Sequence, residues 1–219
     1  IERLEMAEQY ENDWEDPRLA AKSFVSDYIV WRLAKDGLEW CEASDVPEEA
    51  YPEHIAMRRM CAIFEDRNVK ELITLGEVLN LGSLNYTKYC KVVNQFGETK
   101  AGVPSDMTYG RMVGLVAFAG LLCVEKVKGC NMRGVELIAL YTSNYIDKRI
   151  RSTWKDAMRS WAQFMEMTSH VSARHSRLSL QPPLYRSARS ARPRRSSILV
   201  VTAASIVGAC VVGRMFKGH

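Results

Sequence analysis

Apolar residues along this chain recur at helical spacing between short polar breaks, and no segment alternates with the period of two that marks a half-buried strand. Ala21, Phe24, Val25, Tyr28, Ile29 and Trp31 form one stripe, which predicts a helix opening at Asp16-Pro17 and stopping at Gly37. Trp40 follows the turn, and residues 41–52 read as an acidic linker whose last residue, Pro52, suits the first position of a helix. Met57, Met60 and Phe64 stand at i, i+3 and i+7 and predict a helix over about 53–68. Leu72, Ile73, Leu75, Val78 and Leu79 continue as a shorter helix up to Gly82. Ser83 is placed to cap the next, in which Tyr89, Val92, Val93 and Phe96 share a face. GETKAGVPSD (97–106) has the composition of a loop.

The stretch MTYGRMVGLVAFAGLLCVEKVK (107–128) stands apart. Its thirteen residues from Met112 to Val124 carry no charge. A surface helix would show a polar residue every turn, so this one is predicted to be buried on all sides. It is too short to span a bilayer, which takes roughly 20 apolar residues. Tyr109-Gly110-Arg111 precedes the run and puts a permanent cation at the mouth of the buried helix.

Gly129 and Asn131 break the chain, and residues 132–150 predict a further helix with Val135, Ile138, Ala139, Thr142, Tyr145 and Ile146 on one side. Trp154 and Trp161 mark one or two short closing helices ending near Met167. The expected fold is all-α, with seven or eight helices around one central apolar helix. Residues 17–167 form this domain and residues 1–16 an acidic, flexible lead-in. Residues 168–195 read as a basic, flexible linker, with Arg174, Arg177, Arg186, Arg189, Arg192, Arg194 and Arg195 and no acid. Residues 196–213 (SSILVVTAASIVGACVVG) are uncharged and bounded by Arg214 and Lys217. At helical rise they extend roughly 27 Å, enough for a transmembrane tail anchor that leaves the body in the cytosol.

The net charge of +4 conceals an asymmetry: through Glu166 there are 21 basic and 26 acidic residues, and beyond it nine basic and no acidic ones. A mildly acidic body is not the profile of a nucleic-acid-binding domain. The cysteines at 41, 61, 90, 123, 130 and 210 include no CxxC pair and read as reduced thiols in a cytosol-facing protein. His54, His170, His175 and His219 have no metal-ligand spacing, and there is neither a phosphate loop nor a nucleophile elbow. We expect no enzyme, metal or cofactor.

Together these motifs resemble the Bcl-2 family of apoptosis regulators. MTYGRMVGLVAFAGLLCVEKV is similar to that family's first homology region, matching it at Gly110, Arg111, Val113, Phe118, Gly120, Leu122, Cys123, Val124 and Glu125, with Tyr109 for the family's Trp and Thr108 for its Asn. FVSDYIVWRLAKDGLEW (24–40) resembles the amino-terminal fourth region at Asp27, Leu33, Gly37 and Trp40. YTKYCKVVNQF (86–96) resembles the helix before the first region. Trp154 and Trp161 keep the tryptophan spacing of the second region, although Arg159-Ser160 replace the two small residues usual before the second Trp. The third region is the weakest match. In one frame Ala62 replaces the family's Asp, and in the other Glu65-Asp66 supply the acid while Phe64 takes the place of a small residue.

The resemblance implies a receptor for amphipathic death-promoting (Bcl-2 homology 3) helices of pro-apoptotic relatives. Its peptide-binding groove would be lined by Phe64, Leu72, Leu75, Val92, Phe96, Thr108, Tyr109, Gly110, Val113 and Phe118, with Arg111 pairing the partner's aspartate. The blander readings are that Arg111 serves an internal salt bridge, that the apolar liners are ordinary core, and that Arg58 and Arg59 are a solvated face. A pro-survival receptor at the mitochondrial outer membrane, with the endoplasmic reticulum as the other membrane, is the expected function. A membrane-permeabilising effector of the same family and a helical tether outside apoptosis are the alternatives.

Overall fold

The computed structural model describes residues 16–41, 43, 46, 50–79, 84–94 and 106–179, with the backbone alone at 78 and over 175–179. A 3-10 turn at Pro17–Leu19 leads into α1 (Ala21–Lys35), and the Asp16 carboxylate accepts from the Arg18 N–H at 2.9 Å to cap the turn. Helix α1 stops as expected. Gly37 adopts φ 70°, a left-handed conformation that glycine takes without steric cost, and the Leu38 N–H closes back on Leu33 O at 3.0 Å.

Helix α2 (Pro52–Val78) starts on its proline and joins the two helices predicted for this region. They are separated by a kink at Asn68 (φ −131°, ψ 19°), not by a loop. There the Asn68 side-chain amide donates to Phe64 O at 2.8 Å, the carbonyl that the backbone N–H of residue 68 would take in an unbroken helix. Helix α3 (Tyr86–Asn94) opens under Asn85, whose side-chain oxygen accepts from the Lys88 N–H at 2.9 Å. The predicted cap Ser83 lies outside the described residues, as does Phe96. Helices α4 (Tyr109–Lys128), α5 (Met132–Thr153) and α6 (Trp161–Ser179) follow.

The described residues therefore hold six α-helices and one 3-10 turn, where the pattern predicts seven or eight helices. The fusion of α2 removes one, and Trp154 sits in the turn after α5 and not in a helix of its own. A second correction concerns the boundary at Met167, because α6 runs on to Ser179 and residues 168–179 are helical where a flexible linker is predicted. The cause is a face that continues through a polar residue. Thr168 is buried with its hydroxyl donating to Met165 O at 2.8 Å, and Val171 packs on the core beyond it. The anchor at 196–213 lies outside the described residues, among which no helix is long and apolar enough to cross a membrane.

Helix α4 is the pillar of the bundle. Helices α1, α2 and α5 pack around it, and every residue from Met112 to Gly120 and from Leu122 to Val124 is buried. A helix without a polar face has nowhere else to go. Helix α3 packs on α5, where Tyr89 donates its hydroxyl proton to Thr142 Oγ1 (2.6 Å), which in turn donates to Ile138 O.

Candidate functional site

The site is built around the amino-terminal end of α4. Thr108 caps the helix, its Oγ1 accepting from the Arg111 N–H at 3.3 Å. The segment entering α4 is fastened to the end of α5. The Met107 N–H donates to Thr153 Oγ1 at 3.2 Å, and the Trp154 indole N–H donates to Met107 O at 2.7 Å. Tyr109 stands edge-on to Trp154 with ring centroids 5.4 Å apart. Its hydroxyl accepts from the Ser160 N–H at 3.0 Å and has Ser160 O and Gln163 Oε1 within donating reach. Trp161 stacks on Phe24 of α1 at 4.4 Å and meets Trp154 edge-on at 5.1 Å. The tryptophan spacing noted in the sequence is thus an aromatic clamp that holds the mouth of α4 against α1 and α6.

Arg111 is half-buried at this mouth. One guanidinium N–H bonds the backbone carbonyl of Asp106, while the Nε–H is shielded from solvent and has no acceptor among the described residues. Burial lowers its pKa; the Asp106 carboxylate opposes that shift, while Arg149 and Arg159 add to it. A guanidinium remains charged under all these influences, so the mouth carries a fixed cation. The internal contact of Arg111 is with a backbone oxygen, not with the acid of the blander reading.

The predicted apolar liners sit deeper. Phe64, Leu72, Leu75, Val92, Val113 and Phe118 are all buried and belong to one continuous core. Gly110 is buried beside them, and Thr108 and Tyr109 are partly exposed. Phe64 lies flat against Gly114, where an added Cβ would stand 3.1 Å from the ring, and the Cys61 thiol donates to Val113 O at 3.5 Å. These contacts join α2 to the floor helix. The exposed large apolar side chains of α2 are Ile55, Val69 and Ile73, and the last two, 42% and 47% exposed, stand one turn apart.

Two charged groups are placed differently from the sequence expectation. Arg58 is not part of a solvated face. It reaches across to α1 and pairs with Asp27 in two hydrogen bonds, Nε to Oδ2 at 2.9 Å and Nη2 to Oδ1 at 2.5 Å, and Asp27 is buried. Arg59, its neighbour, is exposed as expected. Glu65, which supplies the acid in one frame of the third region, is taken within the chain: Tyr28 donates to its Oε1 at 2.9 Å and Arg32 to its Oε2 at 2.8 Å. Burial, with the charge of Glu65 among the lesser causes, drives the Tyr28 hydroxyl far above its ordinary pKa.

Known proteins resemble this chain in sequence and fold. Residues 57–161 match the model of the apoptosis regulator proteins of the Bcl-2 family. Over 93% of its length the chain is 33% identical to the apoptosis regulator ced-9 of Caenorhabditis elegans, of which it covers 73%. The chain belongs to the Bcl-2 family of apoptosis regulators. The ced-9 protein of Caenorhabditis briggsae is 36% identical over 71% of the chain, and the chain spans 59% of that relative's length. The structure of C. elegans CED-9 matches with a TM-score of 0.69 at 33% identity, covering 77% of the chain and 99% of that structure. CED-9 in its complex with EGL-1 matches with a TM-score of 0.65, covering 74% and 99%. Among the described residues no group of His, Cys, Asp and Glu is placed to hold a metal ion in this Bcl-2 fold.

Proposed function

We propose that the chain is a pro-survival regulator that takes amphipathic Bcl-2 homology 3 helices of pro-apoptotic relatives into a groove along α2, α3 and the start of α4. By sequestering them it restrains permeabilisation of the mitochondrial outer membrane, to which residues 196–213 anchor it. An incoming helix lays its apolar face over α4 and presents an aspartate to Arg111. The assembly of the similar CED-9 with EGL-1 supports a binding role. The groove opens by displacing apolar contacts at the rim, because the liners Phe64, Leu72 and Val113 are buried. Exposed Val69 and Ile73 offer the first landing surface.

The observation that carries the receptor role over the effector role is the capture of Glu65. An effector must release its third region to engage another copy, and here Glu65, the first of the two acids that one frame gives that region, is fixed to α1 by Tyr28 and Arg32. A dye-release assay on liposomes of mitochondrial lipid composition tests this. The chain alone should release no dye and should suppress release by a permeabilising member of the family. Release by the chain itself would contradict the receptor role.

A further inference from the structure

We propose that Arg159 is a second carboxylate anchor beside Arg111, so that the chain selects partner helices carrying two acidic side chains. This rests on the receptor reading above. Both arginines converge on one residue, Asp106. Arg111 bonds its backbone oxygen, and Arg159 Nη1 stands 3.9 Å from its carboxylate, beyond hydrogen-bond length. The Asp106 side chain is 62% exposed, so solvent screens the compensation it gives. Among the described residues each arginine also keeps an N–H group shielded from water and without an acceptor, Nε of Arg111 and Nη1 of Arg159. Arg149 adds to the positive potential at Arg111.

Two guanidinium groups facing one screened carboxylate leave donor capacity that a single partner aspartate cannot fill, since a bidentate pair satisfies one fork. Arg159 is also held in place. The chain turns through Met158 at φ 48°, the Arg159 N–H closes on Trp154 O at 3.0 Å, and the next residue is fixed by the Tyr109 hydroxyl. The resemblance to the family gives a small residue at this position, so the second anchor distinguishes this chain from the general pattern.

The test uses full-length protein in detergent micelles and a labelled synthetic amphipathic peptide of about 20 residues with apolar anchors at i, i+3, i+7 spacing. One peptide carries Asp at the position facing Arg111 and Glu one turn away; a second has Gln in place of that Glu. Arg159→Ala should weaken the Asp/Glu peptide about fivefold and leave the Asp/Gln peptide unchanged, whereas Arg111→Ala weakens both. Arg159→Gln, which keeps the stem of the side chain, should repeat the result, and Arg159→Lys should recover part of the loss. Thermal melts confirm that each variant is folded. Equal weakening of both peptides by Arg159→Ala, or no weakening of either, would overturn the second anchor while the effect of Arg111→Ala leaves the receptor reading standing. Failure of the unsubstituted protein to bind either peptide would overturn both.

Discussion

The ring of Tyr28 lies so close to Gly120 that a Cβ built on the glycine would stand 2.6 Å from Tyr28 Cε1 and 3.2 Å from Arg32 Cγ. This approach brings α1 onto the central helix and lets Tyr28 reach Glu65 on α2, so one missing methyl group organises three helices. Tyr28 is fully buried and cannot swing aside. Gly120→Ala should therefore destabilise the fold by about 1–3 kcal/mol through overpacking, despite alanine's better helix propensity. Urea unfolding checks this; a neutral or stabilising alanine would show that the α1–α4 approach is looser than described.

The Asp27–Arg58 pair predicts a contrast between neighbouring arginines. Arg58→Ala strands a buried carboxylate and should cost about 3 kcal/mol or more, whereas Arg59→Ala, at an exposed position, should stay within about 0.5 kcal/mol. Replacing both members of the pair with apolar residues of similar volume should recover much of the loss. Chemical denaturation of the three variants reads the outcome.

Thr108 has a stability role that its place in the groove motif obscures. As the cap of α4 it should cost about 1 kcal/mol when replaced by alanine, while Thr108→Asn, which restores the family's residue, keeps an equivalent cap. If Thr108→Asn strengthens partner binding without changing the melting temperature, the amide contributes to recognition and not to folding.

The extent to which these features are legible in the sequence follows from where each residue's partner lies. The burial of α4 needs no partner to be identified, because thirteen uncharged residues in a helix have no polar face to show. The stripe of α1 and its glycine stop are likewise local, set by spacing and by one left-handed residue. Arg58 and Glu65 pair instead with residues more than 30 positions away, Asp27, Tyr28 and Arg32, and no helical spacing distinguishes them from a solvated face. The end of the first helical stretch near residue 68 is legible in the sequence and coincides with the kink at Asn68; what is not legible is that the second stretch follows without a loop, the Asn68 side-chain amide taking Phe64 O across the kink. The extension of α6 was hidden by composition: the segment is rich in Arg and Ser, and its buried face passes through Thr168. For the groove, the motif places the cation at the mouth of α4 but does not reveal that its apolar liners belong to the core.

The most direct test of the account is the affinity of the full-length chain for a labelled Bcl-2 homology 3 helix, compared between the unsubstituted protein and Arg111→Ala by fluorescence anisotropy. The account predicts saturable binding that weakens by about 2–5 kcal/mol in the variant, with a partial loss in Arg111→Lys. Unchanged affinity in a folded Arg111→Ala protein would contradict it.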